Sequence, residues 1–154
     1  MVDINLEFIG KIVSDYSIPE ELHFECEKGL KTVSYSKIIL KDKYIIGLKG
    51  LEQFSHIFVI YILDKADRIE LITHPGPSSI KDLKKVGVFA SRSQYRPNHI
   101  ALRLAKLMKI NNNELIVEGL DAVNGSKVLD IKPYIPGFDR PNTFKVAEWY
   151  DWLK

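Results

Sequence analysis

The run Ile-Ala-Leu-Arg-Leu-Ala-Lys-Leu-Met-Lys-Ile at 100–110, Asn-Asn-Asn at 111–113 and Glu-Leu-Ile-Val-Glu-Gly at 114–119 decides the fold. Its first segment is ambiguous alone. Ile100, Leu102 and Leu104 repeat with the period of a strand, whereas Leu104, Leu107 and Met108 repeat with that of a helix. The last segment is clearer, because Leu115 and Val117 alternate as one face of a strand. The asparagines between them tolerate left-handed backbone and suit a turn. Two apolar segments joined by such a turn predict a β-hairpin, which assigns 100–110 to a strand.

Working outward, His56 to Leu63 is β-branched and aromatic on both faces and predicts a central, doubly buried strand. His56 at its start reads as a capping or core-edge residue. Strands are also expected over Ile4–Val13 (with Gly10 as a bulge), Leu22–Glu27, Leu30–Leu40, Ile45–Ile46, Arg68–Thr73, Gly87–Ala90 and Lys127–Pro133. Asn124-Gly125 marks a tight turn, and His74-Pro75-Gly76-Pro77 a firm break. Gly47 to Phe54 leaves room for about one helical turn, Ser78 to Lys85 reads as a loop with another, and Val146 to Leu153 reads as a short C-terminal helix. The count is eight or nine strands with hardly any helix, and there is no repeat or linker. This predicts a single all-β domain over residues 1–154, closed or nearly closed as a barrel, since closure removes strand edges.

Composition narrows the chemistry. The chain has 154 residues and a net charge of +2. The charge is unevenly spread: residues 81–109 hold eight lysines and arginines against Asp82, a local +7 that leaves −5 for the remainder. A basic field on a near-neutral protein suggests an anionic partner, nucleic acid first. Lys81, Lys84 and Lys85 read as residues that merely solvate exposed faces. The one cysteine, Cys26, excludes an internal disulfide and reads as a small strand residue. His23, His56, His74 and His99 lack metal-ligand spacing, so no metal is expected. The N-terminus has no signal-peptide pattern, and the longest apolar run, 57–63, is too short to span a bilayer. A cytoplasmic protein without membrane association is the expectation.

The chemistry concentrates after the Gly87–Ala90 segment, in Ser-Arg-Ser-Gln-Tyr-Arg-Pro-Asn-His-Ile-Ala at 91–101. Arg92 and Arg96 lie four residues apart on a loop stiffened by Pro97 and closed by Asn98. Asp130 sits in an otherwise apolar strand and needs a partner, with Arg92, Arg96 and Lys132 as candidates. No glycine-rich nucleotide motif and no serine-hydrolase elbow is present.

The segments Gly-Val-Phe-Ala-Ser-Arg-Ser-Gln-Tyr-Arg-Pro-Asn at 87–98, Gly-Leu-Asp at 119–121, Asn-Gly at 124–125 and Leu-Asp-Ile-Lys-Pro-Tyr at 129–134 resemble the TsaA-like family, also called TrmO. Gly-Leu-Glu-Gln-Phe-Ser-His-Ile at 50–57 is similar to the family's stretch before its central strand. The resemblance implies a β-barrel methyltransferase that binds S-adenosyl-L-methionine and works as a homodimer. It also implies a substrate, N6 of threonylcarbamoyladenosine beside the anticodon of tRNA. Cofactor contacts would fall on Arg92, Leu102, Gly119, Leu120 and Asp121, with Glu118 beside them. Three features depart from the family. Asn98-His99-Ile100-Ala101 stands where Asn-Pro-Ile-Gly is usual, Ile18-Pro19-Glu20-Glu21 replaces a Pro-Arg-Gln-Pro segment, and the C-terminal domain of longer members is absent.

Methyl transfer from a sulfonium is an in-line displacement dominated by positioning. Phe89 or Tyr134 would face the cationic centre. Arg92 and Arg96 would hold a carboxylate or an RNA phosphate, and Asp130 or His99 would take the N6 proton. Lys106 and Lys109 would attract the anticodon stem-loop, Tyr95 would stack on a base, and Arg96, Asn98 and Tyr134 would complete the RNA contacts. The competing expectation is a barrel that binds S-adenosyl-L-methionine or RNA without transferring a methyl group. His99 and Ala101 favour it, and restoring proline and glycine there would test it.

Overall fold

A computed structural model describes residues 4–22, 34–76 and 80–153. Among these, eight strands occur: β1 (Gly10–Val13), β2 (Tyr35–Leu40), β3 (His56–Ile62), β4 (Ile72–Thr73), β5 (Val86–Gly87), β6 (Ile100–Asn111), β7 (Glu114–Glu118) and β8 (Lys127–Pro133). Six of them close an antiparallel barrel in the order β1-β2-β7-β6-β3-β8, and β4 and β5 pair separately. The hairpin that decided the reading is β6–β7. Asn111 pairs with Glu114, and Asn112 takes the left-handed backbone that the asparagine turn anticipates, with φ 54°.

The barrel interior is filled from every wall: Ile12 from β1, Ile38 and Leu40 from β2, Ile57 and Val59 from β3, Leu115 and Val117 from β7, Val128 from β8. Gly10 is needed where β1 crosses β2, because a β-carbon there would meet the Ile39 carbonyl oxygen at 2.4 Å. The seam is completed by Gly10 opposite Val128 and Lys11 opposite Lys127.

Several expected elements differ. The first strand is confined to Gly10–Val13, and Ile4 and Leu6 before it are exposed. Ile45–Ile46 is not a strand but part of a 3₁₀ helix over Asp42–Leu48; Ile46 points to solvent, and no strand lies alongside to pair with it. The Arg68–Thr73 strand shrinks to β4, and the 87–90 strand becomes β5 followed by a 3₁₀ turn over Val88–Ala90. The C-terminal helix is a 3₁₀ turn over Glu148–Leu153, and a single α-helical turn at Pro136–Asp139 was not anticipated. The expected strand at 22–27, the start of the one at 30–40, and Cys26 and His23 fall outside the described residues, apart from Leu22, which closes a helical turn over 19–22.

The largest difference concerns faces. β3 is central, lying between β6 and β8, but it is buried on one face only: Ile57, Val59 and Tyr61 point inward, while Phe58, Ile60 and Ile62 are half-buried outside. A closed barrel has one core, so a strand rich in large residues on both faces must leave half of them outward. β6 is more extreme. Its inward positions next to β3 are Ala101, Arg103 and Ala105, opposite Tyr61, Val59 and Ile57. Its large residues Ile100, Leu102 and Leu104 point outward, 36%, 44% and 41% exposed.

Candidate functional site at the barrel mouth

The site begins where a strand loses its neighbour. β6 pairs with β7 only from Lys106 onward, Lys106 being opposite Glu118, so, among the described residues, 100–105 pair with β3 alone. Beyond Glu118 the chain turns away at Gly119, whose φ of +80° favours glycine. A gap is left between the free edge of β6 and the segment 119–123.

Side chains fill this gap. Leu63 N–H donates to the His99 carbonyl and Leu107 N–H to the Ser55 carbonyl, so odd-numbered peptide groups of β6 face β3 and even ones face the gap. There Arg92 Nη2 donates to the Leu102 carbonyl at 2.6 Å. Arg103 Nε donates to the Gly119 carbonyl at 2.9 Å, and its Nη2 lies 2.6 Å from Asp121 Oδ2. Tyr61 donates its hydroxyl to the Asp121 carbonyl at 2.8 Å. Burial pushes the Tyr61 hydroxyl up to about 12; the Asp121 charge adds to this, and Arg103 and Arg92 oppose it. Burial also raises the Asp121 carboxyl, against the pull of Arg103. Tyr61 is therefore a fixed neutral donor at ordinary pH, and Asp121 is a carboxylate balanced between desolvation and one cation.

Beside this cluster lies an apolar cleft lined by Pro19, Leu63, Ala122 and Val123, with Asp64, Lys65, Gln94 and Ser126 at its edges. Its enclosed volume is about 30 Å³, room for roughly two water molecules. The Ile18–Glu21 segment, remote in sequence from Asp121, thus reaches the same cleft through Pro19.

The structure places the expected site residues in three ways. Arg92, Leu102, Gly119 and Asp121 are brought together at the mouth. Leu120 follows the same path, but its side chain is fully buried in the core and does not reach the mouth. Glu118 lies on the outer face, level with Lys106 and Tyr35. The arginine loop is internally stapled: Arg96 Nη1 donates to the Ser93 carbonyl at 2.9 Å, and Ser91 Oγ donates to the Val88 carbonyl at 2.9 Å. Tyr95 carries the Arg68 guanidinium 3.8 Å from its ring centroid, and Glu70 and Asp67 hold Arg68 there. One ring face of Tyr95 is thereby covered. Asn98 is exposed at the end of the loop.

The remaining residues lie elsewhere. Asp130 is on the outer face of β8, opposite Ile60, and of its three candidate partners it takes Lys132 at 2.8 Å. Its other oxygen accepts the Ile131 N–H at 2.9 Å. Lys106 and Lys109 are exposed on the outer face of the β6–β7 pair, and Tyr134 packs edge-on against Phe58 at 5.8 Å. Sequence reasoning missed Arg103 and Tyr61. A tyrosine in an apolar strand was the available signal, because its hydroxyl needs a partner when buried.

His99 has φ 48°, its N–H donates to the Arg96 carbonyl at 3.1 Å, and its Nε2 lies 3.0 Å from the Arg68 carbonyl. Proline holds φ near −65° and has no N–H. Restoring proline here is therefore not a neutral repair. His99→Pro is expected to lower stability by about 3 kcal/mol or more in chemical denaturation, while His99→Gly stays near wild type. A His99→Pro protein as stable as wild type would show that the loop does not need this backbone. Ala101 lies in a regular strand opposite Tyr61, where a glycine has no special use.

Two arginines and a carboxylate thus meet across a gap in the wall of a closed six-stranded barrel. The sequence profile of the tRNA-methyltransferase O N-terminal domain matches residues 18–140, and the chain belongs to that family. A human tRNA (adenine(37)-N6)-methyltransferase is 39% identical over 114 residues, which is 70% of this chain and 26% of that protein. An S-adenosyl-L-methionine-binding protein of Archaeoglobus fulgidus is 41% identical over 116 residues, 75% of this chain and 80% of that one. The crystal structure of TrmO from Pseudomonas aeruginosa superposes with a TM-score of 0.69 at 26% identity, covering 95% of this chain and 62% of that chain. The chain thus spans about a quarter of the length of its mammalian relatives.

Proposed function

We propose that the barrel binds S-adenosyl-L-methionine at the mouth and transfers its methyl group to N6 of an adenine in tRNA, the threonylcarbamoyladenosine beside the anticodon. The observation that carries this reading is the convergence of Arg92, the Leu102 carbonyl, Gly119 and Asp121 in a member of this family. The group fits the residues present: a guanidinium for its carboxylate, a carboxylate for ribose hydroxyls, and apolar walls at Leu63, Ala122 and Val123 for its uncharged parts. When bound, it supplies an electrophilic methyl. The protein's part is to hold and orient. Asp130 has both oxygens engaged and is poorly placed to accept the N6 proton; His99 keeps Nδ1 outside its bond to Arg68. Lys106, Lys109 and the open face of Tyr95 are the groups offered to the stem-loop, with Arg96, Asn98 and Tyr134 bordering them. A cytoplasmic site of action suits this substrate, and no helix among the described residues is long and apolar enough to cross a membrane.

The working unit in this reading is a homodimer. Phe58, Ile60 and Ile62 of β3 and Ile100, Leu102 and Leu104 of β6 form one outward apolar strip, in register across the two strands. Asp130 and Lys132 edge it on β8. An apolar centre with a charged rim is the anatomy of an interface, and a two-fold axis lets one such strip cover another. Leu102, whose carbonyl belongs to the mouth and whose side chain belongs to the strip, would bring a second copy's surface to the site.

A second reading, binding without transfer, is favoured by the Archaeoglobus relative, which is named for binding alone and which the chain spans over 80% of its length. The experiment is calorimetry with S-adenosyl-L-methionine followed by methyl transfer to tRNA bearing the modified adenosine. Binding is expected, weakened more than about tenfold by Arg92→Ala and little by Arg96→Ala, whose guanidinium is spent on its own loop. Binding with no transfer supports the second reading; no binding at millimolar ligand defeats the first reading and the cofactor-binding form of the second, and a gel shift with tRNA then decides its RNA-binding form.

A further inference from the structure

We propose that Arg103 is a positioning residue for the mouth, holding the Gly119–Asp121 turn against β6 and thereby setting the wall of the ligand cleft. This deepens the proposed function and rests on it for the identity of the ligand.

The placement of Arg103 is unusual. Its register partner is Val59, which is fully buried, and its neighbours on the same face are Ala101 and Ala105, both facing the core. A guanidinium starting from a barrel-lining position is costly unless it finds partners beyond the core. Arg103 escapes through the gap that β7 leaves, and its side chain is 47% exposed at the far end. Nothing in the strand pattern requires an arginine at this register.

Its two contacts meet a segment outside the strand ladder, held at its start by the Gly119 N–H, which donates to the Ser34 carbonyl at 3.0 Å. Strand pairing of β7 ends at Glu118, and Gly119 turns with positive φ. Next, Leu120 and Ala122 are anchored in the core, while Asp121, Ala122 and Val123 line the cleft. Arg103 fixes the intervening carbonyl of Gly119 and one oxygen of Asp121, which orients Oδ1 of the carboxylate for a ligand. A planar fork can bind a carbonyl and a carboxylate together, and an ammonium cannot do so in the same geometry.

The charge consequence is separable from packing. The groups around Asp121 are Arg103 from β6, Tyr61 from β3, and Asp64 and Lys65 along the same cleft, with Glu118 just before it in the chain; Arg92, from the loop after β5, acts on Tyr61. Among the described residues, Arg103 is the cation whose pull lowers the Asp121 carboxyl, against burial that raises it. Without it the carboxylate protonates at higher pH, so the acid limb of ligand binding moves to higher pH.

The test compares wild type, Arg103→Ala, Arg103→Lys and Asp121→Asn in the full chain. S-adenosyl-L-methionine affinity is measured by calorimetry across pH, the Asp121 carboxyl is titrated by NMR, and amide exchange is followed at residues 119–123. Arg103→Ala is expected to raise Kd about tenfold, move the acid limb upward and speed exchange at 119–123. Arg103→Lys recovers the position of the limb but only part of the affinity. In the Asp121→Asn background, Arg103→Ala should cost less affinity than it does alone, as expected of coupled groups; what remains is the lost Gly119 contact, read as faster exchange at 119–123. Fully additive losses with unchanged exchange at 119–123 would mean that Arg103 touches the ligand itself and would overturn a positioning role. An unchanged Kd, limb and exchange would overturn it as well. If wild type binds no S-adenosyl-L-methionine, the functional reading fails on its own. The exchange and titration of the free protein then decide the clamp, with unchanged values in both Arg103 variants counting against it. Should Arg103→Ala not fold, Arg103→Lys carries the comparison.

Discussion

Leu120→Ala will destabilise the barrel by about 3 kcal/mol, read as a lower midpoint in urea with an unchanged slope. Leu120 sits between two residues of the candidate site, yet its side chain is fully buried among Tyr61, Val117 and the other core residues. Truncation there removes contacts and leaves a cavity that the closed barrel cannot readily collapse. Its peptide groups are untouched, so the affinity of protein kept folded at low temperature should change by less than about twofold. The opposite result, a large loss of affinity with an unchanged midpoint, would make the side chain a ligand contact and would require a different path for residues 119–121.

If the proposed homodimer forms, Leu104→Glu is expected to convert it to monomer, with self-association weakened by about a hundredfold or more. Leu104 is 41% exposed, stands opposite Phe58 and lies two residues from Leu102 in the outward apolar row. A carboxylate at the centre of a dry interface must be desolvated twice across a two-fold axis, once for each copy. In the monomer it remains in water, so the barrel itself should keep its stability and circular dichroism. Sedimentation velocity decides the matter. A wild-type chain that is monomeric at tens of micromolar would remove the interface from this face, as would a Leu104→Glu protein that still sediments as a dimer.

The hairpin at 100–119 was legible because the turn residues and the alternation of β7 agree, and β8 was legible from its apolar pattern and flanking turns. What stayed hidden was which way β6 faces. Periodicity reports that Ile100, Leu102 and Leu104 share a face, but not whether that face meets the core or the outside of the barrel. Ala101 and Ala105 point inward because Tyr61 and Ile57 opposite them already fill the space. Ile45–Ile46 misled for a related reason: two β-branched residues favour a strand locally, but the sheet offers them no neighbour. At the site, the arginine loop and the Gly-Leu-Asp segment stood out by composition and resemblance. Arg103 did not, because a pair formed across 18 residues by the ending of β7 depends on register. Asp130 does pair, with Lys132 two residues away, but on the outer face with its side chain 45% exposed, so burial does not demand that partner as its apolar strand suggested.

The gap beside β6 has a consequence for solubility. A closed barrel normally has no strand edge to offer, but here residues 100–105 present one, and an open edge can recruit an extended segment of another chain. Arg92 occupies this edge at the Leu102 carbonyl, so a side chain stands where a neighbouring strand would have bonded. The guanidinium thus works as a stopper against β-augmentation as well as a group for a ligand. Removing it uncovers an acceptor beside an apolar strip, and light scattering of the Arg92→Ala protein should accompany any reading of its lost affinity.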